Sequence, residues 1–142
     1  MIVVDTSIIA YFYLKGENTR QAEEARRQDP FWAAPLLWRS EFRNVLAQYI
    51  RRHLVALPSA HEIMDQATKM MQRNEYRVSS FCVLSLVANS TCTAYDCEFV
   101  ALAQDLEVPL VTTDRQILDQ FPNIAVSLDK FLALSKSDVS LR

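Results

Sequence analysis

The chain is 142 residues long, half of them apolar, with a formal net charge of −2. This length suits one domain with a core of its own, and the apolar share excludes disorder over most of it. The mild negative charge argues against nucleic-acid binding built on backbone neutralisation, yet leaves room for chemistry on phosphates through a cation.

Ile2-Val3-Val4 is a short continuous apolar run, as expected of a strand buried on both faces. Asp5-Thr6-Ser7 then supplies cap-type residues before an apolar helix over Ile8 to Leu14. Gly16-Glu17-Asn18 breaks it, and Thr19 to Gln28 reads as an exposed, charged helix. Asp29-Pro30 is a turn before a strand over Phe31 to Ala34. From Leu36 to Ile50, Trp38, Phe42, Val45, Leu46, Tyr49 and Ile50 recur at helical spacing, and Arg51-Arg52-His53 suits a helix end.

Pro58-Ser59 with Glu62 has capping-box spacing and predicts a helix from Ser59 or Ala60 to Asn74. Tyr76-Arg77-Val78 reads as a weak strand, and Ser80 to Ala88, apolar nearly all round, as a buried helix. Thr93 caps a helix over Ala94 to Leu106 that turns Tyr95, Phe99, Leu102, Ala103 and Leu106 inward. Leu110-Val111-Thr112 is a strand, Arg115 to Phe121 a short helix, and Ile124-Ala125-Val126 a last strand. Leu128 to Leu134 closes the domain, and residues 135–142 read as a polar, frayed tail. Strands alternating with helices predict a single three-layer α/β domain around a mostly parallel sheet.

Several functions are excluded at this level. Gly16 is the only glycine, so no glycine loop of Rossmann or Walker type can cradle phosphate. His53 and His61 stand in no zinc-binding pattern. Cys82, Cys92 and Cys97 are odd in number and form no C-x-x-C pair, which reads as reduced core residues of a cytoplasmic protein. No charged-then-apolar segment opens the chain, and no run of about 18 apolar residues would cross a bilayer.

Four acids stand out. Asp5 and Asp114 end two strand-like runs; Glu41 lies on the apolar stripe of one helix and Asp96 in the first turn of another. Asp5 and Asp114 also have an ordinary reading as helix N-caps, and Thr93-x-x-Asp96 as a capping box. For Glu41 the ordinary reading is an ion pair with an arginine such as Arg39 or Arg43. Together, acids at strand ends converge beyond the carboxyl edge of a parallel sheet, where ligands of such sheets bind. Two such charges about 4 Å apart repel by roughly 4 kcal/mol at an effective dielectric near 20. A divalent cation removes that repulsion, and oxygen-only donors suit Mg²⁺ or Mn²⁺.

These residues also carry a resemblance. Val3-Val4-Asp5-Thr6-Ser7, Pro35 with Glu41 and Asn44-Val45-Leu46, Thr93-Ala94-Tyr95-Asp96 with Phe99 to Ala103, and Pro109 to Arg115 resemble the four motif blocks of PIN domains, in order. The match spans residues 1–134 and is most like the VapC-type toxins of toxin–antitoxin pairs. The resemblance implies a Mg²⁺- or Mn²⁺-dependent endoribonuclease whose metal is held by Asp5, Glu41, Asp96 and Asp114, with Thr112 supporting the pocket. It implies products with 5′-phosphate and 3′-hydroxyl ends, a protein antitoxin and a homodimer. Arg39, Arg43, Arg115 and Lys15 are candidates for gripping RNA. The further acid that some relatives carry after the fourth is missing, since Gln116, Ile117 and Leu118 stand there.

Two rivals accompany this reading: a PIN-fold scaffold without activity, and a phospho-acceptor domain. The second wants paired acids after the first strand and a late lysine, where this chain has Asp5 alone and Arg115. Phe31, Trp32, Trp38 and Tyr49 look abundant for one small core and are the sequence-level argument for a second copy.

Overall fold

A computed structural model describes residues 1–140, the last six by backbone alone. β1 (Ile2–Val4) leads to α1 (Thr6–Tyr13) and α2 (Thr19–Gln28), and β2 (Trp32–Pro35) to α3 (Leu37–Arg51) and α4 (Leu57–Met71). β3 (Glu75–Tyr76) is followed by α5 (Ser80–Ala88) and α6 (Ala94–Leu106). β4 (Leu110–Thr112), α7 (Arg115–Gln120), β5 (Ala125–Ser127) and α8 (Leu128–Ser140) complete the order.

The strands form one parallel sheet in the order β3-β2-β1-β4-β5. Crossovers of the usual right hand put α1 to α4 on one face and α5 to α7 on the other. This agrees with α1 packing on α2, α3 and α4, and α5 on α6, while α8 returns to lie against α2. Central strands covered on both sides must be apolar throughout, and Val3, Val4, Leu110 and Val111 are fully buried. Each such side chain contributes about 1.5–3 kcal/mol relative to exposure.

With one glycine in the chain, two helices end on other residues in the left-handed region: His53 (φ 59°) after α3 and Glu107 (φ 55°) after α6. Both ends close in a Schellman pattern. Leu54 N–H reaches the Tyr49 carbonyl and His53 N–H that of Ile50; Val108 and Glu107 repeat this on Ala103 and Gln104.

Several expectations need correction. β2 begins at Trp32, leaving Phe31 outside and 61% exposed, while Trp32 and Trp38 are buried inside the monomer. Those tryptophans therefore do not speak for a second copy. α4 starts at Leu57 with Pro58 in its first turn and no side-chain cap, so the Ser59–Glu62 capping box does not form. Proline pre-set for the first turn outweighs the serine.

α5 is a helix, but it is not buried: only Val83 is, because α5 rides on α6 rather than on the sheet. Phe81 and Leu84 consequently face outward, and Cys82 is exposed, while Cys92 and Cys97 are buried. Tyr95, expected inward, is exposed as well, because the first turn of α6 stands at the open carboxyl edge of the sheet. α8 continues past Leu134 to Ser140, and residues 141–142 of the expected tail lie outside the described residues. Among the described residues, no helix is long and apolar enough to cross a membrane.

Candidate active site

Chain direction across the sheet reverses between β1 and β4, and a parallel sheet opens a crevice beyond its carboxyl edge at such a point. Pairing of Val4 with Val111 sets the ends of these strands side by side, so Asp5 and Asp114 emerge there together. α3 adds Glu41 and α6 adds Asp96. The carboxylate of Asp5 lies in the field of Asp96 and Asp114, that of Glu41 in the field of Asp5, Asp96 and Glu98, and that of Asp96 in the field of Asp114.

Each acid is held differently. Asp5 occupies the N-cap position of α1, yet its side chain makes no capping bond. Instead its Oδ2 accepts from the Thr112 hydroxyl at 2.7 Å. Thr112 is wholly buried, and its Oγ1 also accepts from the Asp114 N–H at 3.0 Å, tying the two strand ends together. Glu41 Oε1 accepts from the Thr6 hydroxyl at 2.7 Å.

Asp114 does cap: its Oδ1 accepts from the N–H groups of Gln116 (2.9 Å) and Ile117 (3.2 Å). One carboxylate oxygen carries both bonds, so capping and another role are compatible there. Asp96 joins the cap of α6, whose Thr93 Oγ1 accepts from the Asp96 N–H at 3.1 Å.

Three of the four acids are raised, each with burial as the largest cause. Burial pushes the Asp5 carboxyl above its usual range, and Asp96 and Asp114 add to the rise against the Thr112 hydroxyl and the Thr6 backbone. Burial likewise raises Glu41, with Asp5, Asp96 and Glu98 contributing against the Thr6 hydroxyl. Asp96 rises through burial and then Asp114. No arginine, lysine or terminal amine of the described residues forms an ion pair with any of the four.

The arginines proposed as ordinary partners of Glu41 are engaged elsewhere. Arg39 makes a two-pronged pair with Glu75, and Arg43 donates to Ser40. Arg115 is exposed beside Asp114 and forms no ion pair among the described residues, and Lys15 is exposed.

Sequence reasoning missed Thr6 as the holder of Glu41, because Thr6 read as a helix start; its burial at 5% exposure marks the other role. Ser7 and Tyr11, each 3.4 Å from the Thr113 hydroxyl, were also missed. So was Glu98, half-buried and raised by burial, which follows Asp96 by two residues. No pattern in the sequence distinguishes these from surface polar groups.

A family model for the PIN domain matches residues 2–124. The chain belongs to the PIN-domain family. It is 31% identical over 124 residues to Ribonuclease VapC3 of Pyrobaculum aerophilum, a match covering 85% of this chain and 95% of the relative. The crystal structure of PAE2754 from Pyrobaculum aerophilum has the same fold, with TM-score 0.75, 18% identity and 96% of each chain covered. So do a toxin–antitoxin complex from Klebsiella pneumoniae (TM-score 0.66, 18% identity, 90% and 98% covered) and FitAcB from Neisseria gonorrhoeae (0.68, 15%, 89% and 96%).

Whether the acids of this PIN domain fit a cation is first a question of donor chemistry. All four offer oxygen donors, the kind a hard divalent cation takes, and Asp5, Glu41 and Asp96 are partly desolvated. Among the described residues, no group of three or more acids, cysteines or histidines is arranged to hold a metal ion as it stands. The fit is therefore one of donor chemistry: Mg²⁺ and Mn²⁺ take carboxylate oxygens, and Mg²⁺ is held by one or two of them with water completing the shell.

Proposed function

We propose that this PIN domain is a Mg²⁺- or Mn²⁺-dependent endoribonuclease of the VapC kind, acting through Asp5, Glu41, Asp96 and Asp114. One observation carries the reading: three of these acids are raised by burial and mutual repulsion at the switch point of the sheet, and among the described residues no cation pairs with them. A scaffold has no physical reason to keep such a cluster. Similarity to Ribonuclease VapC3 supports RNA as the substrate.

When bound, the divalent ion supplies Lewis acidity, acidifying water at the site and offsetting charge that grows on phosphoryl oxygens. The protein's own part is positioning. Thr112 orients Asp5, Thr6 orients Glu41, and the first turn of α7 fixes Asp114. Held in this way, the carboxylates fix the place of the attacking water and the scissile phosphate, and in-line attack leaves 5′-phosphate and 3′-hydroxyl ends.

Resemblance to toxin–antitoxin structures supports a protein antitoxin covering the carboxylates, and with it action in the cytoplasm. A homodimer fits α5, where Phe81 (81% exposed) and Leu84 (62%) stand beside a depression of about 320 Å³ lined by Val78, Val83 and Ala94. A two-fold axis through this patch would seat each Phe81 in the partner's depression. Light scattering that gives only a 16.3 kDa species at micromolar concentration removes the dimer.

The deciding experiment incubates a mixed RNA pool with the protein and Mn²⁺, with and without EDTA. Cleavage should require the ion and vanish in Asp5→Ala. Cleavage that survives both chelation and the substitution ends the metal-nuclease reading.

A further inference from the structure

Next to the acidic cluster, a cavity of about 330 Å³ is lined by Asn18, Gln21, Thr113, Arg115, Ser127 and Asp129. Leu118 and Leu128 supply its apolar part. It lies beyond the carboxyl ends of β4 and β5, and Thr113 and Arg115 flank Asp114 in the chain, which puts it beside the acidic cluster. Its volume lies in the range of small-ligand sites, about 300–1,000 Å³.

The lining carries both signs of charge. Arg115 forms no ion pair among the described residues. A guanidinium in that state suits a phosphate, to which it can donate two parallel bonds. Elsewhere on the lining, Gln21 Nε2 donates to Asp129 Oδ1 at 2.9 Å. That bond holds the amide and leaves the second carboxylate oxygen as an acceptor. A carboxylate repels phosphate and accepts from amino groups on base edges. The amides and the leucines thus offer hydrogen bonds to an edge and contact to a ring.

We propose that this cavity holds the nucleotide flanking the scissile bond, with its phosphate at Arg115 and an amino-bearing base at Gln21 and Asp129. The proposal rests on the ribonuclease reading above. It makes Gln21 and Asp129 specificity-determining residues, and it predicts discrimination against uracil, which carries no exocyclic amino group.

A randomised RNA pool, cut in Mn²⁺ and sequenced at the new ends, tests it. Wild type should disfavour uracil at one flanking position by about fivefold or more. Gln21→Leu and Asp129→Asn should flatten that preference, and Arg115→Ala should raise KM about tenfold with a smaller change in kcat. All three should keep the Mn²⁺-induced rise in melting temperature, which shows that fold and cluster are intact. Wild-type cleavage with no flanking preference, or a preference and KM that survive all three substitutions, overturns the subsite alone. A pool left uncut by wild type overturns the ribonuclease reading, and the subsite with it.

Discussion

Two acidic regions of this molecule treat carboxylates in opposite ways. At the β3 edge, Glu75 is almost sealed, with 6% of its side chain exposed, and fully answered: Arg39 donates two bonds to it at 2.6 Å and the Trp38 indole a third at 2.8 Å. Arg39 therefore holds the Glu75 carboxyl below its usual range, against the effect of burial. At the carboxyl edge of β1 and β4, Asp5, Glu41 and Asp96 are all raised, with hydroxyls and backbone groups but, among the described residues, no cation as partners. The same fold can thus neutralise an acid and, a few strands away, leaves several uncompensated. Burial is common to both regions; among the described residues only the first has a counter-charge, and that contrast is what the proposed cation would remove.

The largest expected effect breaks this contrast at Asp5. Asp5→Asn keeps an oxygen to accept from Thr112 and removes one charge from a self-repelling group. Cleavage of RNA should fall at least about a hundredfold, roughly 2.7 kcal/mol of barrier, while the metal-free protein unfolds at the same or a higher temperature. Mn²⁺ at about 100 times its dissociation constant should add roughly 2.7 kcal/mol to wild type and little to the variant. Asp114→Asn is the control for capping, because asparagine caps about as well as aspartate. It should retain stability and lose activity. A variant of either kind that keeps both cleavage and the Mn²⁺ shift removes that residue from the site.

Glu75→Gln tests the answered region. Removing the charge strands Arg39 and weakens the bond from Trp38, which should cost about 3 kcal/mol, the lower end for a broken buried pair, since Arg39 is partly exposed. Urea unfolding measures it. Cleavage per folded molecule should change little, so a loss of activity without a loss of stability would blur the distinction between the two regions.

pH sharpens the distinction, because the signs differ. Raised acids bind more protons folded than unfolded, so in EDTA their contribution to stability falls as pH rises from about 4 through their folded values. Glu75 is lowered, so its contribution is present above the usual glutamate range and is lost as pH falls through its folded value. Melting curves in EDTA should therefore show Asp5→Asn gaining on wild type as pH rises from 5 to 8. The Glu75→Gln deficit should shrink only on acidification. Parallel pH profiles for the two variants would mean that the clusters are not electrostatically distinct.

Much of this arrangement was legible in the sequence. β1, α2, β4 and α6 are found at their expected bounds because each is an uninterrupted pattern closed by a cap or turn signal. The acids were legible because their positions, at strand ends and on an apolar stripe, conflict with ordinary burial. What stayed hidden depends on distant partners. Glu75 and Arg39 are 36 residues apart and meet through a two-residue strand with almost no pattern. α5 is apolar on all sides, and such a helix reads the same whether the fold covers it or leaves Phe81 outside. Thr6 looked like a cap because its bond to Glu41 spans two helices.

The smallest expected effect concerns strain away from the acids. Glu107 holds φ 55° at the end of α6, just before β4 and thus at the amino edge of the sheet. A side chain there costs something that glycine would not, so Glu107→Gly should stabilise by about 0.5–1 kcal/mol after the added unfolded-state entropy is discounted. In a domain of this size that is a rise of roughly 2–4 °C in melting temperature. The value of this variant lies in its pairing with Asp5→Asn. Both relieve an unfavourable local state and both should stabilise the metal-free protein, but only the change at the carboxyl edge should abolish cleavage. If Glu107→Gly also lowered cleavage per folded molecule, strain at the far edge would be coupled to the site, and the acids would no longer be the sole place where stability is exchanged for function.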